Sequence, residues 1–183
     1  MILCAAAVLC AQACSTQEKA ADPALEALKA AVAAKVGGDA KVTFTAFEKV
    51  DSTTFGQEFE HRKKVFDLKL EQDLKLYGEY RSKGMSVNEA KKKEAVASDK
   101  RIIKGMEAIG EAVAACADSV AYYDYRFSGK AVTGSGNTVF QDYWACITPA
   151  CEVLCFQPEK KGLHNAMGRV LPGYSELISG GED

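Results

Sequence analysis

Polar and apolar residues alternate over the last third of the chain, between residues 119 and 156, with many aromatic and β-branched side chains among them. A period of two is typical of β-strands. The pattern predicts strands over Ser119–Val132, Asn137–Ile147 and Ala150–Phe156. The glycines between the first two strands favour a tight turn, and Thr148-Pro149 interrupts the run before the third. We therefore expect an antiparallel meander, with Tyr143 and Phe140 on opposite faces of the second of these strands.

The earlier part of the chain is mostly patterned as helix. Asp22-Pro23 is a typical helix start, and Gly37-Gly38 ends the stripe that follows it. The alternation within Lys41–Val50 predicts a first strand. Apolar residues at helical spacing then predict a helix over Phe55–Arg81.

A second long helix follows, and Ser86 with Glu89 has the pattern of a capping box at its start. Its charged first half, Asn88–Lys100, is expected to protrude or fray. Its second half carries a regular apolar stripe, so we expect Ile102–Ala117 to lie on the sheet. Gly105 and Gly110 leave room there for the close approach of another element.

These elements predict an α+β fold with a four-stranded antiparallel sheet packed by helices and a long helical hairpin before the last three strands. A chain of 183 residues fits one such domain with a leader. We assign it to residues 23–178, with a loose tail over 179–183. The order of the elements is similar to that of cystatin-like and nuclear-transport-factor-2-like domains, a resemblance of element order without a shared motif.

The first fourteen residues are uncharged and mostly apolar or small, and they are too few to span a bilayer. They end in Ala11-Gln12-Ala13 before Cys14, and a polar tether follows. This arrangement resembles a bacterial lipoprotein precursor. The resemblance implies a signal peptide over 1–13, lipidation of Cys14, a tether over 14–22 and a location at the cell envelope, with the membrane as a partner. An ordinary cleaved signal or a buried N-terminal helix is the alternative.

Composition excludes several functional classes. The net charge is −2, with 23 basic and 25 acidic residues well mixed, so no basic field favours nucleic acid. The chain contains no His-Glu-x-x-His, Gly-x-Ser-x-Gly, phosphate-binding glycine loop or Cys-x-x-Cys motif. We therefore expect no nucleic-acid partner, no metal and no cofactor, and a non-enzymatic role more than an enzymatic one.

Four cysteines remain after the expected processing: Cys116, Cys146, Cys151 and Cys155. On one strand, Cys151 and Cys155 would lie ~13 Å apart at ~3.3 Å per residue, too far for a disulfide. Cys146 could instead pair with Cys151 across the turn, and Cys116 with Cys155. The alternative is four buried free thiols.

A second arrangement of the same cysteines stays open. If Pro149 began a helix, Cys151 and Cys155 would lie one turn apart and could hold a metal with Cys146 or His164.

The best remaining cluster for chemistry joins phenols, carboxylates and an indole on neighbouring strands: Tyr122, Asp124, Asp142, Tyr143 and Trp144. It could line an apolar pocket with a few polar groups. Tyr122 and Asp124 are two residues apart and can share a face, whereas the adjacent Asp142 and Tyr143 cannot.

Three functions are compatible with these patterns. The favoured one is a lipid-anchored module that binds a partner protein or a small apolar ligand. The alternatives are a small enzyme of the ketosteroid-isomerase type, using a strand carboxylate and a tyrosine, and an assembly lipoprotein acting through its helical hairpin.

Overall fold

The computed structural model describes residues 22–180, which form an α+β fold with an open four-stranded sheet. All strand pairs are antiparallel, in the order β1-β2-β3-β4. The predicted fold class and the helical hairpin before the last three strands are confirmed. The elements are α1 (Pro23–Val36), β1 (Lys41–Thr54), α2 (Phe55–Ser82), α3 (Ser86–Ala114), β2 (Val120–Thr133), β3 (Gly136–Ile147), β4 (Val153–Gln157), α4 (Lys160–Met167), a 3₁₀ turn (Gly168–Val170) and α5 (Tyr174–Ser179).

Helix α1 covers one face of the sheet. Asp22 caps it as expected, because its carboxylate accepts a hydrogen bond of 3.0 Å from the Ala24 amide. Leu28 and Val32 are fully buried and pack on Phe127 of β2 and Ala145 of β3. Helix α4 covers the opposite face, where Leu163 and Met167 pack on Cys146 and Leu154.

The start of α2 is fixed to the sheet by a capping box. Thr54 accepts a hydrogen bond from the Gln57 amide, and the Gln57 side chain accepts one from the Thr54 amide. The capping box expected at Ser86 is wrong, since α3 begins at Ser86 with Met85 before it and makes no side-chain cap. Ser86 is therefore the first residue of the helix, one position after the cap.

The apolar stripe of α3 was expected to lie on the sheet, and this expectation is wrong. Its buried residues Ile102, Met106, Ile109 and Val113 pack against α2 and against Leu171 and Tyr174 near the C-terminus. The predicted close approaches do occur. A Cβ on Gly110 would lie 2.9 Å from the Phe59 ring of α2, and one on Gly105 would overlap Leu177 of α5.

Strand β3 departs from strict alternation. Between the pairs Phe127–Tyr143 and Gly129–Phe140, β3 holds one residue more than β2. Asp142, within this bulge, has φ of 54°. The extra residue returns Phe140 to the face of Tyr143, and their rings lie 5.1 Å apart. The expectation that these two rings face opposite ways is therefore wrong.

Candidate functional site

The face of the sheet under α4, here called the Tyr122 face, carries several buried polar and thiol side chains. Tyr122 and Asp124 of β2 share it, as their spacing predicts, and both are buried. Trp144 and Cys146 project from β3 on the same side, and Cys155 from β4. The strand register sets Asp124 opposite Cys146, and Cys146 opposite Cys155.

The structure does not bring together all five residues of the predicted pocket. Tyr143 lies on the face of the sheet that α1 covers, here called the α1 face, where it packs on Phe127. Asp142 is exposed in the β3 bulge and pairs with Arg126 at 2.9 Å. Only Tyr122, Asp124 and Trp144 share the Tyr122 face.

Tyr122 belongs to a buried polar group at the start of α2. Its hydroxyl donates a hydrogen bond of 3.0 Å to Glu58 Oε2, and Arg62 Nε donates to Glu58 Oε1 at 2.6 Å. Glu58 is 1% exposed and Arg62 is 7% exposed. Burial raises the pKa of Tyr122 well above its usual range, and the nearby Glu58 adds to the effect, so the phenol stays protonated and donates. Burial likewise raises the pKa of Tyr174, whose ring lies beside the Arg62 guanidinium.

Asp124 has two different partners. Its Oδ1 accepts a hydrogen bond of 3.0 Å from the Cys146 thiol, and its Oδ2 lies 3.2 Å from Lys160 Nζ at the start of α4. The same ammonium lies 5.0 Å from the centre of the Trp144 ring. Lys160 therefore balances the Asp124 charge from the solvent side, while the thiol bonds it from within.

The four cysteines of the domain are free thiols. Residues 153–157 form a strand, so the helix considered after Pro149 is wrong. Cys151 lies in the turn before β4 with φ of 64° and packs with the α1 face, whereas Cys155 packs on the Tyr122 face. Cys116 follows α3 in another part of the fold. The register thus places Cys155, and not Cys151, opposite Cys146, and the predicted disulfides stay predictions. Within the described residues, no three His, Cys, Asp or Glu side chains are grouped to hold a metal.

An open cleft of about 480 Å³, here called the Arg169 cleft, lies where α2, the start of β2, the β3–β4 turn and the 3₁₀ turn meet. Its walls are mostly apolar, and Glu152 and the exposed Arg169 supply its charges. No residue in the range 22–180 forms an ion pair with Arg169. The main apolar lining residues are Phe55, Val120, Ala121, Leu154 and Val170.

A smaller cleft of about 300 Å³ lies beside the buried polar group and is lined by Asp51, Gln57, Glu58, His61 and Tyr122. Glu58 and Tyr122 reach it already bonded to each other. It is an open, more polar depression of the surface.

Sequence reasoning missed five of these charged residues: Glu58, Arg62, Glu152, Lys160 and Arg169. A signal did exist for the first two. They stand three and seven positions after Phe55, on the same side of α2 as Phe59 and Phe66, and charged residues inside an apolar stripe indicate a buried pair. Lys160 and Arg169 lie in a stretch of weak periodicity, so only the fold brings them to the site.

Cys14 and the tether before residue 22 lie outside the described residues. Over residues 22–180, none of the helices has the length and apolar character needed to cross a membrane. No protein-family model, curated protein or solved structure matches the chain.

Proposed function

We propose that this protein is a membrane-anchored binding module that takes a small, largely apolar ligand with one anionic group in the Arg169 cleft. The observation that carries the proposal is the cleft itself. Its volume of about 480 Å³ lies within the ~300–1,000 Å³ typical of small-molecule sites. The anchoring rests on the residues that lead up to Cys14.

Two features support an anionic, apolar ligand. Phe55, Leu154 and Val170 offer apolar wall whose burial by a ligand is favourable. Arg169 offers a guanidinium that has no ion-pair partner in the described part of the chain, and guanidinium groups bind carboxylates by paired hydrogen bonds. Glu152 lies in the same cleft, and its carboxylate would repel an anion. Removal of that charge should therefore strengthen binding of the proposed ligand.

The test uses decanoate as the probe and its neutral analogue decanol as the comparison. Calorimetric titration of the full chain is expected to show decanoate binding that Arg169→Met weakens about tenfold, as loss of one ion contact of ~1.4 kcal/mol implies, and that Glu152→Gln strengthens. Arg81→Met removes an exposed guanidinium at the end of α2 and is the matched control. Equal decanoate affinities in wild type and Arg169→Met would contradict the proposal.

The anchor has a separate test. Cells expressing the full chain and grown with labelled palmitate should label the wild type and leave Cys14→Ala unlabelled. Equal labelling of the two proteins would contradict lipidation at Cys14 and leave the ligand test unaffected.

The enzyme alternative has weaker support. A general acid–base pair needs two groups directed at one substrate. Tyr122 is bonded to Glu58, whereas Asp124 is bonded to Cys146 and Lys160, so each is engaged with its own partner.

The assembly alternative is favoured by one observation, the exposed apolar side chains of the hairpin. Leu68 of α2 is 55% exposed and Val87 of α3 is 67% exposed. Light scattering after size exclusion should then report an oligomer that Leu68→Glu together with Val87→Glu dissociates. A monomeric wild type would count against this alternative.

A further inference from the structure

The Cys146 and Cys155 thiols face each other across the β3–β4 pair. Directly opposed residues of antiparallel strands have Cα atoms ~4.5–5.5 Å apart. A disulfide needs a Cα separation of ~4.4–6.8 Å. Both side chains project onto the Tyr122 face. The strands can therefore accept a bond between the two sulfurs without a change of register.

The two thiols have unequal surroundings. Cys146 is 1% exposed and donates its proton toward Asp124 Oδ1 at 3.0 Å. The adjacent Cys155 thiol raises the pKa of Cys146, and burial and the Asp124 carboxylate raise it further. Cys155 is only partly buried. The adjacent Cys146 thiol lowers the pKa of Cys155, and the positive charge of Arg169 lowers it further.

We propose that Cys146 and Cys155 form a redox-active dithiol that undergoes exchange with an external disulfide, with Cys155 as the attacking thiol, Cys146 as the resolving thiol and Asp124 as the proton acceptor for Cys146. The assignment rests on the strand register and the Asp124 contact. The proposed dithiol function goes beyond ligand binding in the Arg169 cleft and does not depend on it.

The reaction has two steps and needs a disulfide R–S–S–R as oxidant. The Cys155 thiolate attacks one sulfur of R–S–S–R, forms a mixed disulfide and releases one R–S⁻. Cys146 then transfers its proton to Asp124, and its sulfur attacks Cys155 Sγ. The Cys146–Cys155 bond forms, the mixed disulfide breaks, and a second R–S⁻ leaves. Two protein thiols are oxidised by two electrons, and the external disulfide is reduced to two R–S⁻. These thiolates take up the two protons that Cys155 released to solvent and Cys146 passed through Asp124.

Lys160 and the other two cysteines of the domain also bear on this proposal. Lys160 Nζ lies 3.2 Å from Asp124 Oδ2, an ion pair that leaves Oδ1 directed at the Cys146 thiol. Cys116 and Cys151 lie outside the Tyr122 face, so they serve as internal controls within the same chain.

The experiment treats the reduced full chain with oxidised glutathione, stops the reaction with acid, blocks free thiols and maps disulfides by mass spectrometry. We expect a Cys146–Cys155 bond that dithiothreitol reverses, and first adducts on Cys155 at least ~10-fold faster than on Cys116 or Cys151, since exchange rates follow the thiolate fraction. A wild type that forms no Cys146–Cys155 bond in excess oxidised glutathione would overturn the proposal, as would bonds from Cys146 to Cys151 and from Cys116 to Cys155.

Three variants test the assigned roles. Cys146→Ala should stop at a stable glutathione adduct on Cys155, whereas Cys155→Ala should form neither that adduct nor a bond to Cys146. Asp124→Asn, checked for native circular dichroism, should slow closure of the second bond at least ~10-fold while leaving the first step unchanged. Lys161→Met, next to Lys160 on the exposed side of α4, is its control and should react as wild type does. A rapid second step in folded Asp124→Asn would remove Asp124 from the mechanism.

Discussion

Two adjacent cations of α2 show how much burial changes the contribution of an ion pair. Arg62 pairs with Glu58 at 2.6 Å, and both side chains are nearly inaccessible. Lys63 pairs with Asp67 at 2.8 Å, and both of those side chains are about half exposed. The spacing along the helix is four residues in each case. Exposed pairs contribute little because solvent screens them, whereas an isolated buried charge is strongly unfavourable.

Arg62→Met is therefore expected to lower the free energy of unfolding by ~3–5 kcal/mol, since it leaves the Glu58 carboxylate buried without its cation and, among the described residues, with the Tyr122 hydroxyl as its partner. Lys63→Met, the matched control, should leave stability unchanged. Urea unfolding followed by circular dichroism measures both. Equal small losses would show that Glu58 is solvated in the native state.

Gly129 is the glycine whose missing side chain matters most to the sheet. A Cβ there would overlap the Thr43 carbonyl oxygen and lie 2.9 Å from Phe44 Cα. Both are backbone atoms of β1, which cannot move aside as a side-chain end can. Gly129→Ala should cost ~1–3 kcal/mol in the same unfolding measurement. Gly134→Ala, in the β2–β3 turn with open space around it, should change stability by less than ~0.5 kcal/mol.

At the scale of elements, the middle of the helical hairpin is held by charged groups. Asp73 of α2 is buried and lies 2.7 Å from Lys92 of α3. Lys69 of α2 pairs in turn with the buried Asp99 of α3. This stretch includes the charged residues 88–100, which are helical throughout and joined to α2 by these pairs.

Asp73 predicts a pH dependence for the hairpin. Hydrogen bonding from Lys92 lowers the pKa of Asp73 below its usual value, and the Lys92 and Lys69 charges add to this. A lowered pKa stabilises the folded state fully above the unfolded value of about 3.9, and this stabilisation is lost as the pH falls through the folded pKa. Asp73→Asn should therefore be less stable than wild type at pH 7, and the difference should disappear in strong acid.

The measurement is the urea midpoint of both proteins between about pH 2 and pH 7. Asp67→Asn, whose carboxylate pairs with Lys63 on the exposed side of α2, is the control and should show a much smaller difference. A constant difference between Asp73→Asn and wild type across the range would contradict the predicted role of the Asp73 charge.

Local patterns predicted the elements well and their partners less well. The stripe through Ile102 and Met106 was correctly predicted as a buried helix face, because helical periodicity is a local property. The surface that this stripe packs on was predicted wrongly. The sheet was expected, but α1 covers one of its faces and α4 covers the other. The β3 bulge was missed because one extra residue changes no composition, yet it reverses which face Phe140 occupies.

For the site as well, local spacing could be predicted from the sequence and long-range contacts could not. The shared face of Tyr122 and Asp124 could be predicted from their spacing within one strand. The contacts of Asp124 with Cys146 and Lys160 could not, because they depend on strand register and on where α4 packs. Residues brought together by long-range packing leave no local pattern in the sequence.

At the scale of the whole molecule, the sheet and the hairpin share contacts that join them into one core. Phe55 and Val170 each pack against two clusters of buried side chains. One is the hairpin cluster around Met106 and Ile109, and the other is the cluster on the Tyr122 face. The Phe55 amide donates to the Ser119 carbonyl at 3.0 Å, and the Gly56 amide donates to the Ala117 carbonyl at 2.9 Å. Together with the Glu58–Tyr122 bond, these contacts fix the start of α2 to the start of β2.

This coupling predicts a single unfolding transition. Met106 is 1% exposed at the centre of the hairpin cluster, so Met106→Ala should lower the free energy of unfolding by ~2–5 kcal/mol. Far-ultraviolet circular dichroism reports mostly the helices, and the fluorescence of Trp144, the only tryptophan in the chain, reports the sheet. If the two parts unfold together, Met106→Ala shifts both midpoints equally although Trp144 lies in another cluster. A shift in circular dichroism with unchanged Trp144 fluorescence would mean that the hairpin unfolds alone. The strand contacts of Cys146 and Cys155 would then persist after the hairpin has unfolded, because the two thiols and Trp144 lie on the same sheet face.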